Sequence, residues 1–436
     1  MGSRTGVIGL TTVGNLVVRT FSSIILTRLL SPSDFGIVGI ITAIFVAVAM
    51  LTDLGFMDFL VRHERTEDRH FRDVIWTIHV KRGIAVFAAL ALSSPVIAWA
   101  LNKPAIALSL ATASSIFALN GLSSLSLLTA LRHDKSRQLS ILEFSLQVFQ
   151  TATCILLAFW WRNAWSIIAA MILQIGLRTL LSYWLFPDPT HRLARDPAIS
   201  SEFTKFSRFV MMSSTLTLIV SQSDKVVLGR LLTLSDFGLY SIALTIASAP
   251  MSFAESYVSR IVYPICSRTW REAREDLSTV YYQVRRLPAA LYAFACGGLL
   301  GSADLVIALL YQPRYSAAAS LLSLLMISTA LRLPNFAAAQ VLVAAGQVSK
   351  NVHVTIVRLV WVVAAMPLGF VFFGPIGVVA AVGTVEVPTT IYSWLLLKRL
   401  GILHLNEELS FIGLVGAGAL IGWLGTWQIL HLFPNL

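Results

Sequence analysis

Charged residues are scarce in this chain. Only 13% of its 436 residues are Asp, Glu, Lys or Arg, whereas roughly 25% is typical of soluble globular proteins. Apolar residues make up 56% of the sequence, and the mean hydropathy is +0.76. They stand in blocks of twenty or more, separated by short polar connectors. Because no soluble core hides so much apolar surface, each block is predicted to span a bilayer as a helix.

Cysteine is also scarce. Cys154, Cys266 and Cys296 lie in or beside apolar blocks, far apart in sequence and in no spacing that binds metal. We therefore expect no disulfide, no metal site and no cofactor. The first apolar block, from Val7 to Leu30, has no small-residue cleavage site, which predicts a retained helix rather than a signal peptide.

The blocks predict an all-α polytopic membrane protein with about 13 transmembrane helices. The predicted spans lie at residues 7–30, 36–60, 74–101, 104–130, 139–161, 164–186, 206–231, 237–262, 286–311, 316–345, 350–373, 375–397 and 409–432. The odd-numbered connectors are only a few residues long, which leaves no room on that side for a catalytic domain. The sequence therefore argues against a membrane enzyme such as a polysaccharide polymerase or ligase.

The distribution of Lys and Arg predicts the orientation. When the three residues at each end of a span are counted with the adjacent connector, the N-terminal segment and the even-numbered connectors hold 21 of these cations, and the odd-numbered connectors hold five. Because basic loops resist translocation, the N-terminus and the even-numbered connectors are predicted to be cytoplasmic. The net charge of +11 is explained by this asymmetry, so we expect no nucleic-acid partner. The chain is therefore predicted to span a membrane that borders the cytoplasm.

A nine-residue motif occurs twice, with seven identities at a shift of 202 residues. Its copies are Arg28-Leu-Leu-Ser-Pro-Ser-Asp-Phe-Gly36 and Arg230-Leu-Leu-Thr-Leu-Ser-Asp-Phe-Gly238. Equivalent helices of the two copies are six spans apart along the chain, which predicts two parallel repeats related by an axis along the membrane normal. The predicted domains are residues 1–186 and 206–400, with a cytoplasmic linker at 187–205 and an additional C-terminal helix at 401–436. The motif itself is typical of a turn, with Ser-Asp as a helix N-cap and a glycine that allows close packing.

Several charges lie inside the predicted spans, where a charged side chain costs at least ~2.5–3.5 kcal/mol. Arg19 lies about twelve residues into the first helix, roughly 18 Å deep at 1.5 Å per residue, which favours a cavity position over snorkelling. Thr12, Asn15, Arg19 and Ser22 form a polar stripe on this helix. The stripe formed by Ser214, Thr217, Ser221 and Asp224 follows 202 residues later, with Lys225 at its rim. Helix packing is the alternative explanation for the hydroxyl residues.

Other buried charges allow two explanations each. Lys81, Arg82, Arg178 and Arg358 lie about two turns from a cytoplasmic end, so they either line a cavity or snorkel to the headgroups. Arg332 precedes Pro334 and Glu386 precedes Pro388, which predicts helix breaks beside a cavity, or a kink with an ion pair. Asp53 and Glu143 are placed near the cytoplasmic end, where hydration or loop cations would satisfy them.

These charges supply the candidate site. A lumen with several cations suits an anionic substrate such as a lipid diphosphate. The candidate substrate-binding residues are Arg19, Lys225, Asn15, Asp224, Arg332, Lys81, Arg178 and Arg358. The candidate ion-coupling residues are Glu386, Asp224 and Asp53.

The sequence resembles the polysaccharide transporter (Wzx-type oligosaccharide flippase) family of the multidrug/oligosaccharidyl-lipid/polysaccharide exporter superfamily. The segments that carry the resemblance are Ile25 to Gly36, Asp53 to Phe56, Leu60 to Arg62, Asp224 to Leu232 and Phe237 to Ala243. The resemblance implies two six-helix bundles around a central cleft and alternating access. It implies transfer of an undecaprenyl-diphosphate-linked oligosaccharide to the periplasmic leaflet, with membrane lipids, a polysaccharide polymerase and export machinery as candidate partners.

Two rival functions share this fold. An ion-coupled multidrug exporter of the same superfamily would need an acid-rich cleft for cationic drugs, whereas these spans hold at least as many bases as acids. A flippase for the peptidoglycan lipid precursor is the other alternative.

Overall fold

The computed structural model describes residues 2–130, 135–186 and 191–432, and every regular element in these ranges is helical. Parts of the predicted linker and of the last predicted domain, at 187–190 and 433–436, lie outside the described residues. The chain divides into two compact units, residues 1–238 and 239–436.

The first ten helices belong to the first unit. They are α1 (Gly2–Leu29), α2 (Pro32–Leu51), α3 (Phe56–Arg62), α4 (Arg69–Ala100), α5 (Ile106–Ala113), α6 (Ser115–Gly121), α7 (Ser126–Thr129), α8 (Ser136–Trp161), α9 (Trp165–Ser182) and α10 (Pro197–Leu231). The next helix, α11 (Leu234–Tyr257), begins in the first unit and continues in the second. The second unit also contains α12 (Tyr263–Glu272), α13 (Leu277–Gly301), α14 (Ala303–Leu310), α15 (Ala318–Ala344), α16 (Val348–Gly383), α17 (Glu386–Arg399) and α18 (Leu405–Leu432).

The helices confirm an all-α protein with many apolar spans, but not the count of thirteen. Within the described residues, eight helices are long and apolar enough to cross a membrane, or nine if α13 and α14, bent by 73°, form one span. The predicted spans 7–30 and 206–231 correspond to α1 and α10, the two helices with polar stripes, which are not among the eight. The predicted span 104–130 is divided into α5, α6 and α7.

One of the eight candidates, Ser349–Arg399, contains two predicted spans. Gly374 interrupts it with φ 63° and ψ −148°, a conformation that a side chain would strain. A Cβ on Gly369 would overlap the backbone of Gly377, and Trp361 Nε1 donates to the carbonyl of Ala381 at 3.0 Å. The segment therefore folds back on itself as two packed antiparallel helices.

The second predicted span, 36–60, is also interrupted. Helix α2 ends at Leu51, and α3 starts again after Gly55, whose φ is 66°. The carboxylate of Asp53 accepts a hydrogen bond from the Gly55 N–H at 2.9 Å. The prediction that Asp53 lies on a continuous spanning helix is therefore wrong, because the residue caps a break between two helices.

The repeated motif starts α2 and α11, as its sequence predicts, but its cap lies two residues earlier than Ser-Asp. Ser31 is the N-cap of α2 and forms a capping box with Asp34. Thr233 occupies the equivalent position before α11, and its hydroxyl donates to Asp236 at 2.7 Å and accepts from the Asp236 N–H at 3.1 Å. Each aspartate therefore contacts the capping residue and is not the N-cap itself.

Hydrogen bonds between connectors agree with the prediction that odd-numbered and even-numbered connectors lie at opposite ends of the helices. The Ala164 N–H in the fifth connector donates to Asp34 in the first at 2.9 Å. On the even-numbered side, the Arg192 N–H donates to Asp73 at 3.1 Å, and Ser278 donates to the carbonyl of Ile402 at 2.8 Å. Odd-numbered connectors thus contact odd ones, and even-numbered connectors contact even ones. Which end faces the cytoplasm stays a prediction.

The additional C-terminal helix packs closely on α13. A Cβ on Gly297 would overlap the carbonyl of Val415, and one on Gly301 would overlap that of Ala419. From the first contact to the second, the residue numbers increase along both helices, so α13 and α18 run parallel. Small residues let the two backbones approach, which is how helices associate where lipid removes the hydrophobic driving force.

Candidate functional site

The best-defined polar cluster of the second unit surrounds Glu386. Arg332 donates to its carboxylate through Nη1 at 2.9 Å, and Arg358 donates through Nη2 at 2.9 Å. Asn335 adds a hydrogen bond from Nδ2 to Oε2 at 2.7 Å. The carboxylate is only 2% exposed, so these three donors compensate for the cost of burying it. The structure thus joins three of the predicted site residues.

Three helices position this cluster. Arg332 and Asn335 are three residues apart on α15 and therefore share a face, while Arg358 lies on α16. Glu386 is the first residue of α17, where the helix dipole and free N–H groups favour a negative charge. The packing of these three helices and the dipole of α17 therefore place the Glu386 carboxylate opposite the two guanidinium groups.

The two prolines beside this cluster do not divide their helices, whereas the ion pair of the alternative prediction is present between Arg332 and Glu386. Helix α15 continues through Pro334 from Ala318 to Ala344, so Pro334 does not divide it. Pro388 lies in the first turn of α17, where a backbone N–H has no acceptor within the helix, so the proline removes no hydrogen bond. The break precedes Glu386, after α16 ends at Gly383.

Glu255 extends the cluster to α11. Its carboxylate accepts from Arg332 Nε at 3.1 Å and from Arg332 Nη2. A π-helical turn, Val258–Val262, follows this residue by less than one turn, and such turns often occur at functional sites. Arg332 therefore bridges two carboxylates, and the two arginines and two glutamates balance in charge.

Sequence reasoning missed two members of this cluster. Glu255 lies within the predicted span 237–262 but is not among the residues that the sequence predicts for the site. Asn335 was overlooked, although its position three residues after Arg332 shows that both share a helix face. No sequence signal joins α11 to α15, because their contact depends on the packing of distant segments.

In the first unit, Arg178 forms an ion pair with Glu143. Arg178 Nε and Nη2 both lie 3.0 Å from Glu143 Oε1, and Nη1 lies 3.4 Å from the side-chain oxygen of Asn120. The partner of Glu143 is thus a cation of helix α9 rather than the loop cation that the sequence predicted. For Arg178, the contact favours pairing between helices over snorkelling alone.

The polar stripe of α10 carries an adjacent acid and base. Asp224 is buried, with 7% of its surface exposed, and Lys225 Nζ lies 3.5 Å from Asp224 Oδ1. Lys225 also donates to the carbonyl of Ser221 at 3.1 Å. Part of the lysine charge is therefore satisfied within its own helix.

The stripe of α1 is described from Asn15 onward, and the side chain of Thr12 lies outside the described residues. Arg19 is exposed on α1, while Asn15 is half-buried with an Oδ1 that has no hydrogen-bond partner in the described part of the chain. The described partners of Lys225 are Ser221 and Asp224, so no contact joins it to Arg19. Lys81 is exposed on α4.

Asp53 contacts the stripe of α10 from the break after α2. Ser214 donates to Asp53 Oδ2 at 3.2 Å. Arg82 donates through Nη2 to the hydroxyl of Thr52, the neighbour of Asp53, at 2.9 Å. An acid, a base and hydroxyl groups from three segments of the first unit therefore lie together here.

The fold is that of helical membrane transporters. The structure resembles that of a protein described as lipid II flippase MurJ in an inward closed conformation, with a TM-score of 0.68 and 12% identity over 97% of this chain and 99% of that one. It also resembles an inward-facing multidrug resistance MATE family transporter of the MOP superfamily, with a TM-score of 0.64 and 13% identity over 92% of this chain and 95% of that one. At these identities, the likeness shows the fold alone.

The sequence matches the polysaccharide biosynthesis protein family over residues 25–320, and the chain belongs to that family. One relative is the succinoglycan biosynthesis transport protein ExoT of Rhizobium meliloti, 27% identical over 71% of this chain and 62% of that protein. Another is the lipopolysaccharide biosynthesis protein WzxC of Escherichia coli, 20% identical over 86% of this chain and 76% of that protein. The chain thus spans about three fifths of the length of ExoT. With its apolar helices, it is a multi-pass membrane protein.

Proposed function

We propose that this protein is a flippase that moves an undecaprenyl-diphosphate-linked oligosaccharide from the cytoplasmic to the periplasmic leaflet during polysaccharide biosynthesis. The observation that carries the proposal is the family match over residues 25–320. The relative ExoT is a transport protein, which supports movement of a substrate rather than its covalent change.

The distribution of charge suits such a substrate. A lipid-linked oligosaccharide carries a polar, anionic head that cannot cross hydrocarbon unaided, so its path must supply donors and positive charge. We propose that the head passes the polar faces of α1 and α10 in the first unit. Arg19 and, more weakly, Lys225 are proposed to attract the diphosphate. The arginines beside Glu386 are balanced by acids, and Lys225 shares part of its charge with Asp224.

The peptidoglycan lipid precursor and a drug cation are the alternative substrates. They are considered because the two solved structures that share the fold are described as a lipid II flippase and a multidrug resistance transporter, although fold alone does not select a substrate. The family match favours the polysaccharide precursor over both.

Complementation separates these substrates. The full chain is expressed at matched membrane levels in three strains: one that lacks its oligosaccharide flippase, one depleted of its peptidoglycan-precursor flippase and one that lacks its main drug exporters. We expect the chain to restore polymer export in the first strain, whose sugar repeat it must accept. We expect no rescue of growth in the second strain and no drug resistance in the third. Growth rescue in the second strain, or drug resistance in the third, without polymer export would replace the proposed substrate.

We also propose an inner-membrane location with a cytoplasmic N-terminus. The proposal rests on the 21 cations of the N-terminal segment and the even-numbered connectors against five in the odd-numbered connectors. Single cysteines placed between Val61 and Asp73, or between Ser267 and Arg286, should resist impermeant labels applied to intact spheroplasts. A cysteine at the exposed Ala105, two residues after the buried Lys103, should react. Reaction of the first two alone would reverse the arrangement.

A further inference from the structure

A cavity of about 250 Å³ lies between the parallel helices α13 and α18 of the second unit. At about 30 Å³ per water molecule, it has room for roughly eight waters. Its lining includes Arg286 and Ala289 from α13, and Glu407, Ser410 and Leu414 from α18. A ligand the size of a small polar headgroup fits this space.

The cavity is polar at one end and apolar at the other. Because α13 and α18 run parallel, Arg286, Glu407 and Ser410 lie nearer the starts of both helices, and Ala289 and Leu414 lie about one turn further along. Beyond the lining, further along both helices, large apolar side chains are exposed, among them Leu291 at 65% and Leu420 at 60%. The polarity therefore changes along the helices in the way that it changes from the headgroup to the acyl chains of one leaflet.

Two neighbouring pairs of oppositely charged residues differ in whether their side chains contact each other. Arg285 and Glu408, one position away on each helix, are 3% and 2% exposed and contact each other directly. Arg286 and Glu407 line the same cavity, but among the described residues neither side chain has a hydrogen bond or ion pair. Opposite charges that share a cavity without touching provide one anion-binding group and one cation-binding group.

We propose that this cavity binds the headgroup of a zwitterionic phospholipid, of the phosphatidylethanolamine type. Arg286 binds the phosphate, Glu407 and Ser410 bind the ammonium group, and the first part of an acyl chain lies along Ala289 and Leu414. Charge complementarity favours this lipid over a purely anionic one, because an anionic headgroup leaves Glu407 without a partner and adds repulsion. A polyprenyl diphosphate is disfavoured for the same reason.

The test measures lipid binding by the purified full chain after delipidation, using native mass spectrometry. The probes are phosphatidylethanolamine and phosphatidylglycerol with identical acyl chains, and undecaprenyl diphosphate. We expect the ethanolamine lipid to bind about tenfold more tightly than the glycerol lipid. R286Q and E407Q should each weaken its binding about tenfold, as expected for the loss of one charge-assisted contact. E407Q should also reduce the difference between the two phospholipids.

Matched controls are R271Q and E275Q, which neutralise exposed charges of the same unit outside the cavity and should bind like the wild type. The exchanged protein, R286E with E407R, keeps both charges and should bind the ethanolamine lipid within about threefold of the wild type. Equal binding of both phospholipids by the wild type, tighter binding of either anionic lipid, or unchanged binding by R286Q and E407Q would overturn the proposal. The readout is independent of transport, so its failure leaves the proposed flippase function untouched.

Discussion

Gly36 and Gly238, which end the two copies of the repeated motif, lie directly against each other. A Cβ built on Gly238 would stand 3.0 Å from the backbone nitrogen of Gly36 and would overlap the carbonyl of Pro32. A Cβ on Gly36 would overlap the carbonyl of Leu234. The motif therefore packs against its own second copy, so that α2 and α11 begin in backbone contact.

Replacing either glycine by alanine should destabilise the protein. Because the obstructing atoms are backbone, G36A and G238A should each cost about 1–3 kcal/mol and lower the midpoint of thermal unfolding in detergent. The matched control is G176A, on α9, where no heavy atom lies within 4 Å of the added carbon. That variant should be neutral or slightly stabilised, because alanine favours helix over glycine. Equal midpoints for all three would mean that the two helices separate without cost.

The buried pair of Arg285 and Glu408 should be essential for the docking of α18. E408Q leaves the arginine charge buried without its partner, which should cost about 3–5 kcal/mol. The double change R285M with E408L should recover most of that loss, because it removes both desolvation penalties. Thermal unfolding measures both effects. E272Q, which breaks the exposed pair of Arg268 and Glu272, is the control and should change little.

His191 should make stability depend on pH. Its Nε2 accepts from the Leu125 N–H at 3.2 Å, and its Nδ1 lies 3.6 Å from Asp73 Oδ1. Burial lowers the pKa of His191 from about 6.5, although Asp73 opposes the shift. The folded protein therefore takes up this proton less readily than the unfolded chain. The stabilising contribution is complete above about pH 6.5 and is lost as the pH falls through the lowered pKa.

Unfolding midpoints at pH 7.5 and pH 5 measure this contribution. H191Q should lose less stability than the wild type between the two values, because glutamine does not titrate. H353Q, at an exposed histidine on α16, should behave like the wild type. An identical pH dependence in H191Q and the wild type would exclude His191 as the titrating group.

Arg19 and Lys225 should matter for transport rather than for folding. Losing a charge-assisted contact to the diphosphate should reduce polymer export about tenfold in R19A, and less in R19K, which keeps the charge. K225A should have a smaller effect, because Lys225 already contacts Asp224 and Ser221. Export in a complemented flippase-deficient strain measures these effects at matched membrane levels. Full export by all three variants would make these cations packing or snorkelling residues.

Glu386 is proposed to couple ion movement to transport through exchange of its partners Arg332 and Arg358. E386Q should therefore abolish the dependence of export on the proton gradient, while the protein still reaches the membrane. E255Q is the matched control, because it removes a carboxylate from Arg332 but not from Arg358. Export by E386Q with an unchanged pH dependence would assign Glu386 to a structural ion pair.

The contacts of charged residues could not be read from the sequence. Arg332, Arg358 and Glu386 were recognised individually, since an ionisable residue within an apolar block has few explanations other than pairing, hydration or snorkelling. Their meeting depends on how α15, α16 and α17 pack. Glu255 and Asn335 join them for the same reason, and no local pattern near either residue indicates it.

Three features were determined by the sequence alone. They are the helical, membrane-spanning class, the alternation of the connectors between two ends of the helices, and the duplicated motif. These features follow from local composition and periodicity, because hydrocarbon forces each segment to satisfy its own backbone hydrogen bonds. The tertiary structure alone decided that α2 is interrupted beside Asp53, that Glu143 pairs with Arg178, and that α18 docks on α13 beside the cavity of Arg286 and Glu407. Helix packing in a membrane depends on close contact between small residues far apart in sequence, which local patterns do not encode.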